Sequence, residues 1–293
     1  MKEGLQGAVE GALGGPIASL APVAGGDINQ AFRVETTEGA AFFLKARAGS
    51  DRAEFEDEAA GLAWLAAAGE LSCPRPVCVI ETEDGSGLLM EWIDSGAATD
   101  WEAFGHGLAS LHTTDGGEHG ARPPDSDPGG VRFGSLRLPA VVPGSGLSFG
   151  EVYAERVAFL AREARDRDAL DCQAADRLLD LANRVPALIG GEERPTRLHG
   201  DLWSGNVLPG ADGKPWLIDP AAYGGDAEVD LAMLELFGSP PESFYRAYDE
   251  VRPLREGIAE RRTLWQLQPL LVHAVLFGGH YGRAADEAAR SLV

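Results

Sequence analysis

The chain is short of cysteine and has no long hydrophobic run. Its 293 residues contain three cysteines, Cys73, Cys78 and Cys172. An odd and sparse set of this kind is a poor basis for a disulfide framework and fits a reducing compartment, so we expect a cytoplasmic protein. No run of about 18 uninterrupted apolar residues occurs, and a membrane-spanning helix is therefore not expected. The N-terminus lacks the basic start and apolar middle of a signal peptide.

Positive charge is scarce as well. Lysine and arginine number 25 against 46 aspartates and glutamates, which gives a formal net charge of −21. Such a surface repels the phosphates of nucleic acids and anionic membranes, and we expect neither as a partner. A nucleotide is not excluded, because local backbone N–H groups, one lysine and divalent cations suffice to hold its phosphates. Lysine occurs at only three positions, 2, 45 and 214.

The first third of the chain has the pattern of a small β-rich lobe. Alternating apolar and polar residues predict strands over 17–48 and a second hairpin over 77–93. Between them, apolar residues at helical spacing predict one main helix over 51–68. We therefore predict an antiparallel N-terminal lobe over 1–93, with a hinge at about 90–94.

The remainder, 94–293, is predicted to be a larger and mainly helical lobe, so the expected fold class is α+β with two lobes. Residues 113–150 are rich in Gly, Pro, Asp and Ser and predict a long loop or lid. A hairpin is expected over 206–219. The helices are predicted over 100–112, 151–168, 171–188, 231–237, 243–251 and 255–278.

The most informative stretch is residues 198–206, Leu-His-Gly-Asp-Leu-Trp-Ser-Gly-Asn, which is followed by an apolar run that ends in Asp219. Asp201, Asn206 and Asp219 occur in the order in which a kinase-type catalytic loop presents a base and two metal ligands. We expect Asp201 to accept or orient the attacking hydroxyl. Asn206 and Asp219 would hold Mg²⁺, a hard cation that prefers oxygen ligands. The pattern predicts transfer of the γ-phosphoryl group of ATP.

Two residues near this stretch are expected to support it. His199 is predicted to bond within the loop rather than act as a base, since Asp201 is better placed. Asp230 is predicted to brace the backbone of the loop. An isolated His-Gly-Asp is usually only a turn, and it is the whole set of residues at this spacing that favours a site.

A glycine-rich turn lies between two predicted strands and is composed of Gly25, Gly26, Asp27, Ile28 and Asn29. Glycine there lets backbone N–H groups approach phosphate oxygens closely, so we expect this turn to contact ATP. The alternative is a plain hairpin turn. No Gly-Lys-Ser/Thr follows, which excludes a Walker A motif.

Lys45 ends the strongly apolar strand Phe-Phe-Leu at 42–44. Burying an ammonium group is costly unless it is paired. We therefore expect Lys45 to hold the nucleotide phosphates and to pair with Glu58 on the following helix. The alternative is a lysine that extends to solvent from the strand end, with Glu58 on an exposed helix face.

The end of the small lobe reads Met-Glu-Trp-Ile at 90–93. An extended linker between lobes can present backbone C=O and N–H groups to the edge of an adenine. We assign this role to the backbones of Glu91 and Ile93. A plain strand end is the alternative.

The pattern His-Gly-Asp-Leu-x-x-x-Asn with a later Ile-Asp resembles the protein-kinase-like small-molecule kinases, which include aminoglycoside, choline and related phosphotransferases. The chain lacks His-Arg-Asp and Asp-Phe-Gly, so it is not a typical protein kinase. Within that group it is most similar to the fructosamine kinase (ketosamine-3-kinase) family, from about residue 4 to the end, and Trp-Ser-Gly at 203–205 is the most specific part. The resemblance is carried by residues 25–29, 199–206, 217–221, 224, 228–233 and 265–279.

The resemblance implies a bilobal protein-kinase-like fold and ATP-dependent phosphorylation of the sugar 3-hydroxyl of a ketosamine, either small or protein-bound. Decomposition of the product would free the amine, a deglycation. It also implies that Trp203 forms a platform against the sugar and that His273, near Gln268, walls the substrate side. For His273 a buried core histidine is the alternative. Some family members carry a cysteine in the phosphate loop that gives redox-sensitive dimers. This chain has none there, so such redox control is not expected. We expect a monomer.

Two other functions stay open on the sequence alone. An aminoglycoside- or choline-type kinase of the same fold would differ at the acceptor pocket, and the acidic charge mildly favours a polycationic acceptor. A pseudokinase or binding scaffold is the other alternative. Every expected catalytic position is filled, which argues against it.

Overall fold

The computed structural model describes residues 2–24, 29–96, 98–191 and 193–292. The N-terminal part contains a five-stranded antiparallel sheet in the order β1-β2-β3-β5-β4. Two helices accompany it, α1 (Lys2–Leu13) and α2 (Arg52–Ala66). The strands are β1 (Ile17–Val23), β2 (Gln30–Thr36), β3 (Ala41–Ala48), β4 (Pro76–Thr82) and β5 (Gly85–Glu91).

Strand β3 is central to this sheet because it lies between β2 and β5. Lys45 is opposite Ala31 on one side and Leu88 on the other. Gly87 on β5 leaves room for the approach, since a Cβ at that position would lie 2.7 Å from the Lys45 carbonyl oxygen. The sheet therefore presents Lys45 from its middle strand, where the backbone is fully paired.

Helix α2 packs against the sheet through a buried apolar face. Its N-terminus is capped by Asp51, whose carboxylate accepts from the Glu54 N–H at 2.9 Å. Phe55, Leu62 and Leu65 are each at most 2% exposed and join a core that reaches into the helical part of the chain. Burial of this face fixes the helix beside β3.

The described residues from 98 onward are mainly helical and include three short two-stranded ladders. The helices are α3 (Trp101–Leu111), α4 (Phe149–Asp166), α5 (Cys172–Ala182), α6 (Val185–Ile189), α7 (Glu228–Leu236), α8 (Glu242–Val251), α9 (Ile258–Trp265), α10 (Leu267–Phe277) and α11 (Tyr281–Ser291). The ladder strands are β6 (Arg132–Phe133) with β7 (Leu136–Arg137), β8 (Thr196–Leu198) with β11 (Tyr223–Gly225), and β9 (Val207–Pro209) with β10 (Pro215–Leu217).

Two predicted helices are each divided in the structure. The helix predicted over 171–188 is α5 followed by α6, and the one predicted over 255–278 is α9 followed by α10. Pro186 and Pro269 lie in the first turn of α6 and α10, where a residue without an N–H is tolerated. Helix α11 was not predicted, and the predicted loop over 113–150 contains the short β6–β7 hairpin.

The predicted α+β class, with an antiparallel sheet and one main helix ahead of a larger helical part, is confirmed. The boundary at residue 93, between lobes of 1–93 and 94–293, stays a prediction. Within the described ranges, no helix has the length and apolar character needed to cross a membrane.

Candidate active site

The loop over residues 199–206 leaves strand β8 and ends in a short 3-10 turn, Ser204–Asn206. The segment that carries Asp219 runs beside it. The Ala221 N–H donates to the His199 carbonyl at 2.9 Å, and the Ile218 N–H donates to the Asn206 carbonyl at 3.1 Å. Backbone hydrogen bonds at both ends therefore fix this loop against the Asp219 segment.

Asp230, on α7, lies directly behind the loop and is completely buried. Its carboxylate accepts from the backbone N–H groups of His199, at 2.7 Å, and Gly200, at 2.9 Å. A third contact, 3.2 Å, joins it to Nε2 of His112, the residue that caps the C-terminus of α3. Gly200 has φ +82°, and a Cβ there would lie 2.1 Å from the Ala221 carbonyl oxygen. The loop backbone is thus held by a buried acceptor at a position that only glycine fits.

The imidazole ring of His199 makes two contacts, both inside the site. Its Nε2 lies 2.9 Å from the Ile218 carbonyl oxygen, and its Nδ1 lies 3.3 Å from the Asp201 backbone nitrogen. A neutral ring with the proton on Nε2 satisfies both. Burial lowers the pKa of His199, which favours that neutral form. The geometry gives His199 a role in shaping the loop.

Asp201 is half-buried at the centre of the loop. Burial, reinforced by the negative charge of Asp219, raises the pKa of Asp201 to about 7. Asn206 Nδ2 donates to the Asp201 carbonyl at 2.8 Å and lies 3.4 Å from its carboxylate. A carboxyl group with a pKa near neutrality is suited to accept the proton of a hydroxyl group.

Lys45 lies between two carboxylates. Its Nζ is 2.9 Å from Glu58 Oε2 and 2.9 Å from Asp219 Oδ1, and its side chain is 11% exposed. Burial opposes the charge of Lys45, but the two carboxylates outweigh it and raise the pKa. Burial also raises the pKa of Glu58, whose Oε1 is buried without a hydrogen-bond partner among the described residues. The sheet, α2 and the Asp219 segment therefore meet at one ammonium group.

Asn206 and Asp219 supply oxygen atoms on neighbouring segments. Asn206 is 6% exposed, and its amide nitrogen is used by Asp201, which leaves the amide oxygen out of that contact. The Asp219 side chain is 42% exposed, and its backbone has φ +55°, a conformation uncommon for a residue with a Cβ. Across the described ranges, no three His, Cys, Asp or Glu side chains are grouped to hold a metal. The donor set fits a cation such as Mg²⁺, which takes one or two protein oxygens and completes its shell with water and phosphate.

The predicted nucleotide contacts are described only in part. Gly25, Gly26, Asp27 and Ile28 lie outside the described residues. Asn29 follows them, and its Oδ1 is buried without a partner in the part of the chain that the structure covers.

The predicted hinge at about 90–94 begins in the last residues of strand β5. The Glu91 N–H donates to the Arg75 carbonyl at 2.9 Å, so this N–H is not available to an adenine. The backbone of Ile93 makes no hydrogen bond to another backbone group among the described residues. Of the two backbones assigned to the adenine, that of Ile93 is therefore compatible with the prediction, whereas the N–H of Glu91 is not.

An aromatic surface adjoins the loop at Trp203. The Trp203 ring lies over Gly205, where a Cβ would come within 2.2 Å of the indole. Phe237, at the end of α7, is 6.1 Å from Trp203 and 5.2 Å from His273, measured between ring centroids. Trp203 and Phe237 are each 39% exposed. The indole, the phenyl ring and the imidazole thus form one open wall beside the loop.

His273 belongs to this wall rather than to the core. It is half-buried, its Nδ1 lies 2.7 Å from the Pro269 carbonyl, and burial lowers its pKa. Its neighbour on α10, Gln268, is 1% exposed and lies 3.5 Å from the Tyr223 hydroxyl. Gln268 therefore faces the interior and not the predicted substrate side.

Three residues of the site were missed by sequence reasoning. Phe237 is a single aromatic residue at a helix end, with no motif around it. His112 is completely buried, and its Nδ1 lies 2.8 Å from the Tyr248 hydroxyl while Nε2 faces Asp230. His112 directly follows the last turn of α3, after Leu111, and no local pattern marked His112 or Tyr248.

Comparison with known proteins places these features in a family. The family model described as fructosamine kinase matches residues 6–124 and 148–293. A protein from Synechocystis sp. that is named as a ketoamine kinase is 35% identical over 272 residues, which cover 90% of this chain and 87% of the relative.

Solved structures share the fold. A crystal structure from Thermobifida fusca, named as a fructosamine-3-kinase, is 35% identical, with a TM-score of 0.85 over 98% of both chains. The choline kinase LicA from Streptococcus pneumoniae is 16% identical, with a TM-score of 0.65 over 100% of this chain and 98% of that one. LicA is also similar in a complex with AMP, at 16% identity and a TM-score of 0.60, over 94% of this chain and 92% of the other. The predicted protein-kinase-like fold is confirmed.

Proposed function

Because the chain belongs to the fructosamine kinase family, we propose that it phosphorylates the sugar 3-hydroxyl of ketosamines with ATP. Family membership makes it a kinase that transfers a phosphoryl group from a nucleotide to an alcohol. The proposal that the acceptor is a ketosamine hydroxyl rests mainly on one observation: Asp201 and Trp203, where the open aromatic wall begins, lie on the same short loop. A group that can take a hydroxyl proton is thus next to a surface that suits a sugar.

The phosphate side of the proposal rests on Lys45. Its ammonium group is held by Glu58 and Asp219 at 2.9 Å each, at the meeting point of sheet and loop. We assign Lys45 to the nucleotide phosphates, with Glu58 fixing its position. Asn206 and Asp219 would hold Mg²⁺, which, when bound, neutralises charge that develops on the phosphoryl oxygens.

The acceptor side rests on Asp201 and its surroundings. With a pKa raised to about 7, the Asp201 carboxylate can accept the proton of a sugar hydroxyl near neutral pH. Trp203, Phe237 and His273 offer ring faces rather than charges. An indole face suits the apolar face of a sugar ring, and its N–H is one donor for a hydroxyl group.

The wall also bears on the alternatives. A polycationic aminoglycoside needs several acidic groups around its amines, whereas the three side chains that form the wall, Trp203, Phe237 and His273, are aromatic and carry no negative charge. Aromatic rings do suit a quaternary ammonium group, so choline is the second candidate acceptor. Family membership favours the ketosamine over choline.

We further propose that the product decomposes and releases the amine, so that the enzyme acts in deglycation. The amine carrier is a small molecule or a glycated protein. Cys73, Cys78 and Cys172 are free thiols, which fits action in the reducing cytoplasm, and we propose a monomer.

The test is an ADP-release assay with ATP, Mg²⁺ and one acceptor at a time: fructose-lysine, ribulose-lysine, kanamycin or choline. We expect turnover of a ketosamine, with the phosphate found on the 3-hydroxyl by NMR. Turnover of kanamycin or choline alone would overturn the proposal.

A substitution tests the role of Asp201. We expect Asp201→Ala to lower kcat at least ~10²-fold while ATP binding survives, which is the usual size of an acid–base contribution. Asp212→Asn is the matched control, because Asp212 lies in the exposed turn between β9 and β10 and its side chain is 57% exposed. Near-normal turnover by Asp201→Ala would refute the assignment.

A further inference from the structure

The fructosamine kinase model leaves residues 125–147 unmatched between its two blocks. We name these residues the bridging segment. It lies within the stretch that the sequence predicts to be a loop or lid, and the structure describes all of it. Its contacts therefore show what this segment, which the family model does not describe, does in the structure.

The bridging segment is anchored in the helical part of the chain. Val131, Phe133, Leu136 and Leu138 are each at most 7% exposed and belong to the core that α4 and α10 also form. The β6–β7 hairpin turns between them, and the Leu138 N–H donates to the Val131 carbonyl at 2.9 Å. Four buried apolar side chains on so short a stretch fix its position firmly.

From this anchor the segment reaches α2, the helix beside the N-terminal sheet. Arg132 Nε donates to Asp57 Oδ2 at 2.8 Å, and the Asp127 N–H donates to Asp57 Oδ1 at 2.5 Å. Arg132 is also 3.4 Å from Asp51, the capping residue of α2. The Arg132 and Asp57 side chains are 11% and 12% exposed. Both carboxylate oxygens of Asp57 are thus taken by the bridging segment.

Arg132 is itself held in place. The Asp127 carboxylate is 3.6 Å from Arg132 and accepts from Arg137 Nη1 at 3.2 Å and Nη2 at 2.5 Å. Burial raises the pKa of Asp57, so its charge depends on these donors. An ion pair buried to this degree is costly to break from one side, because the remaining charge stays without a partner.

Asp57 immediately precedes Glu58, the residue that holds Lys45. Glu58 uses Oε2 for Lys45, whereas its Oε1 has no partner among the described residues. No second side chain in those ranges therefore fixes the Glu58 carboxylate, and its position follows that of the helix. If α2 rotated about its axis or moved away from the sheet, Glu58 would move away from Lys45.

We propose that Arg132 is a positioning residue, which together with the Asp127 N–H holds α2 so that Glu58 keeps Lys45 aligned for nucleotide phosphates. The inference rests on the proposed role of Lys45 and is independent of which acceptor the enzyme uses. The bridging segment ties the nucleotide side of the site to the helical core. The bridging segment therefore affects the binding of ATP and not the binding of the acceptor at the aromatic wall.

The test compares Arg132→Met and Arg132→Lys with Arg177→Met as the matched control. Arg177 makes a comparable ion pair, with Nε at 2.8 Å and Nη2 at 2.6 Å from Asp286, between α5 and α11 and away from α2. Binding of ADP with Mg²⁺ is measured by calorimetry without any acceptor. Kinetic constants for ATP and for the acceptor that the wild type turns over are measured separately.

We expect Arg132→Met to weaken nucleotide binding and raise the KM for ATP by about 3- to 30-fold, the size of effect that indirect positioning has. The acceptor KM should change less than about 2-fold, and Arg132→Lys should recover part of the loss. Wild-type nucleotide binding by Arg132→Met, or an equal loss in Arg177→Met, would overturn the inference.

A second variant keeps the test decisive if Arg132→Met does not fold. Asp57→Asn retains the shape of the side chain and one acceptor while removing the charge that Arg132 faces. It should weaken nucleotide binding in the same direction, and unchanged binding would contradict the proposal. Because binding is measured without an acceptor, a failure of the ketosamine assignment leaves this result interpretable.

Discussion

Replacing Asp230 by asparagine tests whether a buried carboxylate holds the catalytic loop in shape. Asp230 accepts from the backbone N–H groups of His199 and Gly200 at 2.7 and 2.9 Å, and it is completely buried. Asparagine has nearly the same shape but only one acceptor oxygen. Its NH₂ group must therefore face one of the two N–H donors.

The loss of stability in Asp230→Asn can be estimated from the hydrogen bonds that the substitution removes. A hydrogen bond to a charged acceptor contributes about 1.5–3 kcal/mol, and a buried donor left without a partner costs about 1–3 kcal/mol. His112 can offset part of this, because a neutral ring with its proton on Nδ1 could accept from the new NH₂ group. We therefore expect Asp230→Asn to lower the free energy of unfolding by about 2–4 kcal/mol.

We also expect Asp230→Asn to lower the rate of phosphoryl transfer. Asp201 is only one residue beyond Gly200, and a misplacement of about 1 Å in a reacting group can cost about 10²-fold in rate. We expect kcat of Asp230→Asn to fall about 10- to 100-fold at temperatures where the variant is fully folded. Urea denaturation followed by fluorescence gives the stability, and ADP release gives kcat.

Asp212→Asn is the control for Asp230→Asn as well. Asp212 accepts from the Lys214 N–H at 3.1 Å in an exposed turn, and its substitution should change stability by less than about 0.5 kcal/mol. Wild-type stability together with wild-type kcat in Asp230→Asn would refute the bracing role.

Two further predictions concern acid stability and the aromatic wall. Donors from Arg255, Arg261 and Trp265 outweigh the burial of Glu228 and lower its pKa to about 2, below its ordinary 4.5. The ionised Glu228 stabilises the fold at pH values above its ordinary pKa, and this stabilisation is lost as the pH falls. Between about pH 5 and about pH 3.5, the free energy of unfolding of the wild type, measured by urea denaturation, should therefore fall by about 1 kcal/mol more than that of Glu228→Gln. An equal fall in both proteins would contradict this. Trp203→Ala should raise the KM for the acceptor about 10-fold and leave the KM for ATP unchanged. Val251 is another exposed apolar residue, and the control variant Val251→Ala should leave both constants unchanged. An unaltered acceptor KM in Trp203→Ala would show that the indole does not contact the acceptor.

Short-range patterns carried most of what the sequence could predict. Strands, the α2 helix and the order Asp201, Asn206, Asp219 are local signals, because hydrophobic periodicity and loop spacing are read within a few residues. The approach of Lys45 to Glu58 was also predicted, since a buried ammonium group demands a nearby carboxylate.

Long-range contacts account for what was missed. Phe237 joins Trp203 across 34 positions of sequence, and no periodicity connects an aromatic residue at the end of α7 to a catalytic loop. Arg156 is 1% exposed with its guanidinium 4.1 Å from the Tyr223 ring centroid, although arginine at a helical position normally indicates a surface. Such placements depend on how finished elements pack, which single-sequence patterns do not encode.

The two halves of the site are held by different means. Asp201 is positioned by backbone donors that converge on the buried Asp230 and by Asn206, so its geometry is built into the loop. Lys45 is positioned by ion pairs, one of them to the half-exposed Asp219, the same carboxylate we assign to Mg²⁺. We expect a cation bound at Asp219 to weaken the contact of that carboxylate with Lys45, while the loop keeps Asp201 in place. The constraint on α2 by the bridging segment matters most at that step, because Glu58 is then the partner that keeps the ammonium group aligned.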